Sequence, residues 1–380
     1  MKLTWDEVSA RRLLRHFLTV APGHDPAGVV RAMSGAHAQI ITAAELSIAL
    51  RCGGTTRYDV QDALWTGRSL VKTFGPRGTV HLLPTEDLPL WTGALQALPT
   101  KVSPFKEDVR MSERQTELVI EALAEALADD ELTIEELTTA LVARLGEWAG
   151  DLVMPAFQGF WPRWQQAIAE AANAGVLCYA PNKGRKAAYT NPHRWLPGFK
   201  PMPADEAVDE LLRRYLWAYG PATPAHFAQW LSAPRGWASS VFERAELARV
   251  EVDGLEAWVM ADDVSFESSD PAGVRLLPYF DAFVVGSQPR ELLFPGKAFE
   301  RALGGGQAGN YPVVLVDGVV AGVWHLRRSG RRARVTVELL GGGGGARVRT
   351  AVEAEAVRVG EIVGAEPTVA FETVTVGPHA

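Results

Sequence analysis

The run Met33-Ser-Gly-Ala-His-Ala-Gln-Ile-Ile41 sets His37 and Gln39 two residues apart, among apolar neighbours and just after Gly35. In a helix, positions i and i+2 point to different faces; in an extended segment they share one. Helical spacing begins only around Thr42, which can cap through Glu45. His37 and Gln39 are therefore expected on an extended entry, where the two side chains can hold one water molecule. A neutral imidazole, with an ordinary pKa of about 6.5, can take that water's proton. Gln39 can accept a hydrogen bond from the water through its amide oxygen but cannot remove its proton at ordinary pH. Spacing alone leaves the pair open between this chemistry and an incidental surface or capping pair.

Other chemistries find little support. The eight histidines are scattered, with no HExxH and no ligand pair at a familiar interval, so no metal site is expected. Cys52 and Cys178 supply neither a disulfide framework nor a CxxC pattern. No GxSxG elbow, GxxxxGK[ST] loop or GxGxxG turn occurs, and no cofactor is expected. Gly304–Gly306 and Gly341–Gly345 read as flexible loop tips. His81 reads as a packed strand residue, and the Trp161–Trp164 and Trp217–Trp230 aromatics read mainly as core.

Charge points to an anionic partner only through its distribution. The net charge is −7, yet residues 107–136 hold eleven acids against Arg110 and Arg114, so the remainder of the chain is slightly positive. From Ala171 to Ala204 there are five cations and no acid. Seven arginines lie between Arg327 and Arg349, with Glu338 the sole acid. One acidic helix and several basic loops fit an anionic ligand approached from one side. Only eight of the 38 basic residues are lysine, so the arginine richness can equally reflect codon usage. Arg77 at one hairpin tip, Lys183, Arg185 and Lys186 at a second, and Arg327, Arg328, Arg331 and Arg332 at a third are the candidate phosphate contacts.

The elements that must position these residues follow from periodicity. A chain of 380 residues, at about 150 per domain, predicts two to four packed units. The longest apolar stretch, Val313–Leu326, is interrupted by Asp317 and too short to span a bilayer. Trp5, Asp6 and Glu7 stand where a signal peptide needs its apolar run, so a soluble, cytoplasmic protein is expected. Thr4 and Glu7 form a capping box ahead of a first helix. Helices around Ala43–Arg51 and Arg57–Gly67 then lead into a hairpin, Leu70–Phe74 and Thr79–Leu83, with a Gly-Pro-Arg-Gly tip. Two helices followed by such a hairpin is the order of a winged helix.

The order returns twice. Helices are expected at Ser112–Ala128, from Thr133 with Glu136 in the box position, and at Trp161–Asn173, followed by a hairpin with the tip Pro181–Lys186. A third copy runs through Ala207–Tyr219, a short Thr223-capped helix to Leu231, Ser240–Arg249 and the hairpin Val250–Met260. From about Ser265 short β-like runs take over: Val274–Leu277, Ala282–Val285, Tyr311–Val316, Val319–Leu326, Ala333–Leu340 and Ala346–Glu353. Their spacing suits a small barrel or a strongly twisted sheet. The expectation is an α+β chain of three tandem winged-helix domains, residues 1–105, 106–200 and 201–264, followed by a β-barrel over 265–380.

Four blocks together resemble one known family. They are His37-Ala-Gln39 leading into Glu45–Arg51, the hairpin Leu70–Leu83, Leu276-Leu-Pro-Tyr-Phe-Asp281, and Val316-Asp-Gly-Val-Val-Ala-Gly-Val-Trp324. In this order, over nearly the whole chain, they resemble the winged-helix DNA glycosylases of the AlkZ and YcaQ type, which remove alkylated bases from DNA. The resemblance implies three winged helices and a barrel curved around duplex DNA, with a barrel hairpin probing the minor groove. Either the Leu326–Val335 hairpin or the Gly304–Asn310 loop fits that role. It also implies a catalytic role for His37 and Gln39, at the positions of the family's Gln–x–Gln pair. Histidine at the first position is a departure that leaves open an altered substrate, an altered mechanism or lost activity. Asp281 is either a strand-end structural partner or a charge held near the sugar.

The reading is a monofunctional, monomeric glycosylase acting without a cofactor on bulky N7-alkylguanine in double-stranded DNA, for repair or for self-resistance to a genotoxin. The alternatives are a catalytically silent winged-helix DNA-binding protein or transcriptional regulator, and a ligand-binding barrel.

Overall fold

The computed structural model describes residues 1–19, 23–99, 103, 105–156, 159–266, 273–341 and 344–379. Helices and strands are mixed along the chain, in runs such as the three helices from Ala204 to Arg244 and the three strands from Val313 to Leu339, giving the expected α+β class. The chain forms two units, Met1–Ala63 with Leu212–Ala380, and Leu64–Leu211.

The first unit is built from both ends of the chain. Strand Lys2–Leu3 runs parallel to Leu247–Val252, which pairs antiparallel with Leu255–Met260. Thr4 and Glu7 form the capping box of helix Trp5–Arg15, as their spacing predicts. The helix buries Trp5, Val8 and Leu13 in a core shared with Leu277, Phe283 and Val313. Beyond it lies a five-stranded sheet in the order Val274–Leu277, Val313–Val316, Val319–Ser329, Arg332–Leu339 and Glu366–Phe371. The first four strands are antiparallel and the last is parallel to its neighbour. Val274–Leu277 and Glu366–Phe371 are its two edges, so the described strands form an open sheet and no closed barrel is found among them.

Two runs expected as strands are helical. Ala282–Gly286 becomes a short helix because the Asp281 carboxylate accepts from Phe283 N at 3.0 Å and caps it. Ala346–Glu353 is the start of helix Ala346–Val363. Its buried Val352, Ala356, Val359 and Val363 recur every three or four residues, and Gly364 ends it in the left-handed conformation at φ 66°. Valine content suggested strand, but β preference is largely a matter of where a side chain packs. The helix expected at Ser240–Arg249 is instead Arg235–Arg244, preceded by an extended Pro234 and followed by an extended Ala245 that leads into a strand. Part of the Gly341–Gly345 loop lies outside the described residues.

The second unit holds the antiparallel hairpin Leu70–Phe74 and Val80–Pro84 and the strands Cys178–Lys183 and Lys186–Thr190, with Leu132–Thr133 beside the last. Ser112 with Gln115 and Thr133 with Glu136 form capping boxes for helices Glu113–Ala126 and Ile134–Leu145. Leu123, Leu137, Leu141 and Trp164 meet in its core. The helix expected at Trp161–Asn173 is shorter. Phe160–Pro162 is a strand, Arg163–Ala167 a 3₁₀ turn, and only Ile168–Asn173 is α-helical. Trp161 is 49% exposed and Trp217 36%, whereas Trp164 and Trp230 are core residues. Among the described residues no helix is long and apolar enough to cross a membrane.

Candidate active site

The His37 segment is extended because its sequence stops a helix and delays the next. Helix Pro26–Ala32 ends through Ser34 and Gly35, both at positive φ, with Gly35 N donating to Val30 O at 2.9 Å. Tyr219 Oη donates to Met33 O at 2.6 Å and fixes the exit. Ala36–His37 is then strand, and helix Ile41–Ala49 follows. Ala36 and Ala38 are buried at 2% and 1%, while His37 is half-buried and Gln39 exposed. Burial therefore alternates over residues 36–39, the pattern an extended entry gives, although the strand itself ends at His37 and Gln39 lies in a bend. Thr42 does not cap: helix Ile41–Ala49 starts after an extended Ile40 with no side-chain cap. Glu45 is instead buried and accepts from Gln61 Nε2 at 2.8 Å.

Against His37 lies a residue that spacing did not single out. The Phe280 ring sits 4.4 Å from the imidazole, centroid to centroid, with the planes inclined by 38°. Phe280 adopts φ 54°, a left-handed conformation that is strained for a bulky residue. Its N–H donates to Gly309 O at 2.9 Å, an approach that needs glycine there, since a Cβ on Gly309 would lie 3.1 Å from Phe280 Cα. His379 meets the Phe280 ring edge-on at 5.5 Å. Phe280 was visible in the Leu276–Asp281 block; nothing in the sequence marked His379.

Asp281 is what holds this loop. It is 1% exposed and accepts from Ser47 Oγ at 2.7 Å, Arg51 Nη1 at 2.9 Å, Arg51 Nη2 at 2.8 Å and Phe283 N at 3.0 Å. Burial pushes its carboxyl up, but the Arg51 charge and the bonds from Arg51 and Ser47 outweigh it and hold it below the ordinary carboxylate value. With both oxygens engaged, Asp281 is a structural partner and is not offered to a sugar. Ser47 on helix Ile41–Ala49 and Arg51 in the turn just after it lie four residues apart, so the helix that follows the motif and its C-terminal turn also anchor the loop packed on it. His16, fully buried nearby, packs edge-on to Phe283 at 5.5 Å. Burial, aided by the Arg51 charge, lowers its pKa to about 3.

The basic candidates occupy hairpin ends. Arg77 is half-buried in the Pro76–Gly78 turn at φ 65°. Lys183 and Lys186 pair with Glu136 and Glu135, each at 3.0 Å, and Arg185 stands exposed between them. These carboxylates begin helix Ile134–Leu145, and hydrogen bonding to Thr133 leads the effects that lower the Glu136 pKa to about 2. Arg327, Arg328, Arg331 and Arg332 are exposed where strands Val319–Ser329 and Arg332–Leu339 turn. His81 is buried on its strand with Nδ1 2.9 Å from Thr79 O. Among the described residues no three His, Cys, Asp or Glu side chains are grouped to hold a metal ion.

The family model described as AlkZ-like DNA glycosylase matches residues 30–362. The chain is 30% identical over 341 residues, 86% of its own length and 89% of the relative's, to the interstrand DNA cross-link repair glycosylase of Streptomyces sahachiroi. The solved structure of Streptomyces sahachiroi DNA glycosylase AlkZ is similar with a TM-score of 0.82 and 29% identity, over 98% of this chain and all of that one. The chain belongs to the AlkZ-like DNA glycosylase family. It is a DNA glycosylase.

Proposed function

We propose that this glycosylase releases N7-alkylguanine, including bulky adducts and the guanines of interstrand crosslinks, from duplex DNA. The observation that supports the reading is the burial pattern of the motif, with Ala36 and Ala38 buried and His37 and Gln39 more accessible, in a chain of this family. The cross-link repair relative supports the lesion class. A role in repair or in self-resistance to a DNA-alkylating genotoxin follows from that lesion.

N7 alkylation leaves guanine cationic, so the base departs readily as a neutral molecule once its bond to the anomeric carbon stretches. The sugar then carries oxocarbenium character. Water, oriented by the Gln39 amide oxygen, adds to the anomeric carbon, and its proton passes to the His37 imidazole. The electrons of the broken carbon–nitrogen bond neutralise the base cation. No covalent enzyme intermediate is needed. Phe280 limits the rotation of His37 and keeps water from one face of its ring.

In this reading residues 1–105, 106–200 and 201–264 are winged helices and 265–380 the barrel-derived domain. Arg77, Lys183, Arg185 and Lys186 track phosphates, Arg327, Arg328, Arg331 and Arg332 also contact the DNA, and either their hairpin or the Gly304–Asn310 loop approaches the minor groove. The enzyme works in the cytoplasm as a monomer. Incubating the protein with a duplex carrying one N7-alkylguanine should yield the free modified base and a heat-labile abasic site. Tight binding without base release would instead support a silent DNA-binding protein.

A further inference from the structure

Beside the His37–Gln39 segment the first unit contains a cavity of about 320 Å³. Its wall includes Ile40, next in the chain to Gln39, and Tyr279, next to Phe280, so the segments that carry the candidate active site also border the cavity. Most of the lining is apolar, with Leu46, Trp324 and Ile362 prominent. An apolar cavity of about 150 Å³ accepts benzene, so this one has room for a substituted ring or a fused pair.

Two polar atoms on the wall accept or donate no hydrogen bond among the described residues, although one of them is ion-paired. Glu45 is 3% exposed and its Oε1 accepts from Gln61, but Oε2 accepts none, and Arg57 Nε lies 3.4 Å away without bonding geometry. His325 Nδ1 is likewise buried and without a partner. Buried polar atoms of this kind are costly unless something completes them. The geometry points to this cavity as a subsite for the group that the damaged guanine carries: an apolar ring bearing a hydroxyl or amine that donates to Glu45 Oε2. This rests on the proposed N7-alkylguanine activity and names the adduct chemistry the enzyme favours.

The test compares duplexes carrying one guanine alkylated at N7 either by styrene oxide, which leaves a phenyl ring and a hydroxyl on a short arm, or by a methyl group. The ratio of kcat/KM for the two lesions is the readout. Ala43→Leu, which fills the wall from helix Ile41–Ala49, should lower that ratio about tenfold or more, the scale of methylene-sized changes in apolar pockets. Glu45→Gln should lower it by about threefold, the low end of a lost charge-assisted hydrogen bond. A ratio that stays the same in both variants overturns the inference. Should Ala43→Leu fail to fold, by circular dichroism, the milder Ala43→Val takes its place.

A second measurement needs no catalysis. The fluorine NMR line of 4-fluorophenethyl alcohol should broaden with the wild-type protein at roughly millimolar probe and sharpen again with the filled variant. Absence of broadening would mean that the cavity holds water only, and would sink the subsite. Probe binding without release of either base would instead leave the subsite standing and overturn the proposed activity.

Discussion

Phe280 lies against His37 with ring centroids 4.4 Å apart, and the next residue, Asp281, is bonded to Ser47 on the helix that follows the His37–Gln39 segment and to Arg51 in the turn that ends it. The imidazole is therefore set from two sides by one buried ion pair. Breaking such a pair by removing one partner typically costs about 3–5 kcal/mol, so the loop's position is strongly determined. The strain of Phe280 at φ 54° is held by the same network.

Removing the Phe280 ring should loosen His37 and slow base release under single-turnover conditions by about 10- to 100-fold, the effect of a small misplacement of a reacting group. Phe280→Ala and Phe280→Gly should be similarly slow. The glycine variant should be the more stable by about 1 kcal/mol, since it relieves the left-handed backbone. Urea unfolding checks the second half, and equal stability would mean that the conformation is unstrained.

His16 gives the fold a defined acid sensitivity. Its folded pKa, about 3, lies below the ordinary imidazole value, so the unfolded chain binds the proton more readily. Its contribution to stability is complete above about pH 6.5 and is lost as pH falls toward the folded value, at up to about 1.4 kcal/mol per pH unit. Asp281, held below the ordinary carboxylate value, adds a loss of the same sign at lower pH. His16→Gln should flatten the dependence of unfolding free energy on pH between neutrality and moderate acid. An unchanged slope in that window would assign the acid sensitivity elsewhere.

The second hairpin makes a prediction about salt. Lys183 and Lys186 already face Glu136 and Glu135, so Arg185 is the cation best placed to meet a phosphate. Arg185→Glu should weaken binding to all duplex sequences alike and reduce the slope of log K against log salt by about 1. A Lys183→Gln change should do less. Fluorescence anisotropy across a salt series measures both, and an unaltered dissociation constant at low salt would take this hairpin out of the interface.

Much of the fold was legible because its elements carry local signals. The boxes at Thr4 and Thr133 and the cap at Thr223 each begin a helix, whereas the one expected at Thr42 does not form. The Gly-Pro-Arg-Gly tip joins the strands that alternation suggested. Where valines pack on a helix face, as at Val352 and Val359, composition misled, because the partner surface decides. The non-helical entry that carries His37 and Gln39 could be placed from the delay before the next helix. Phe280 and His379 could not, because the approach of Phe280 to His37, about 240 residues away, and of His379 to Phe280, about 100 residues away, depends on tertiary contacts. Asp281 was read with two roles, and only its four donors decide between them.

The central claim is that His37 takes a proton from the attacking water, and the pH dependence of single-turnover base release tests it most directly. In the wild-type protein the rate should fall on the acid side as the imidazole becomes protonated. His37→Gln should remove that limb, since glutamine does not titrate, and His37→Ala should lose on the order of 100-fold or more in rate. Both variants should still bind duplex DNA, because neither side chain is assigned a phosphate. A His37→Ala enzyme that works at full rate, or an acid limb that survives in His37→Gln, would contradict the account.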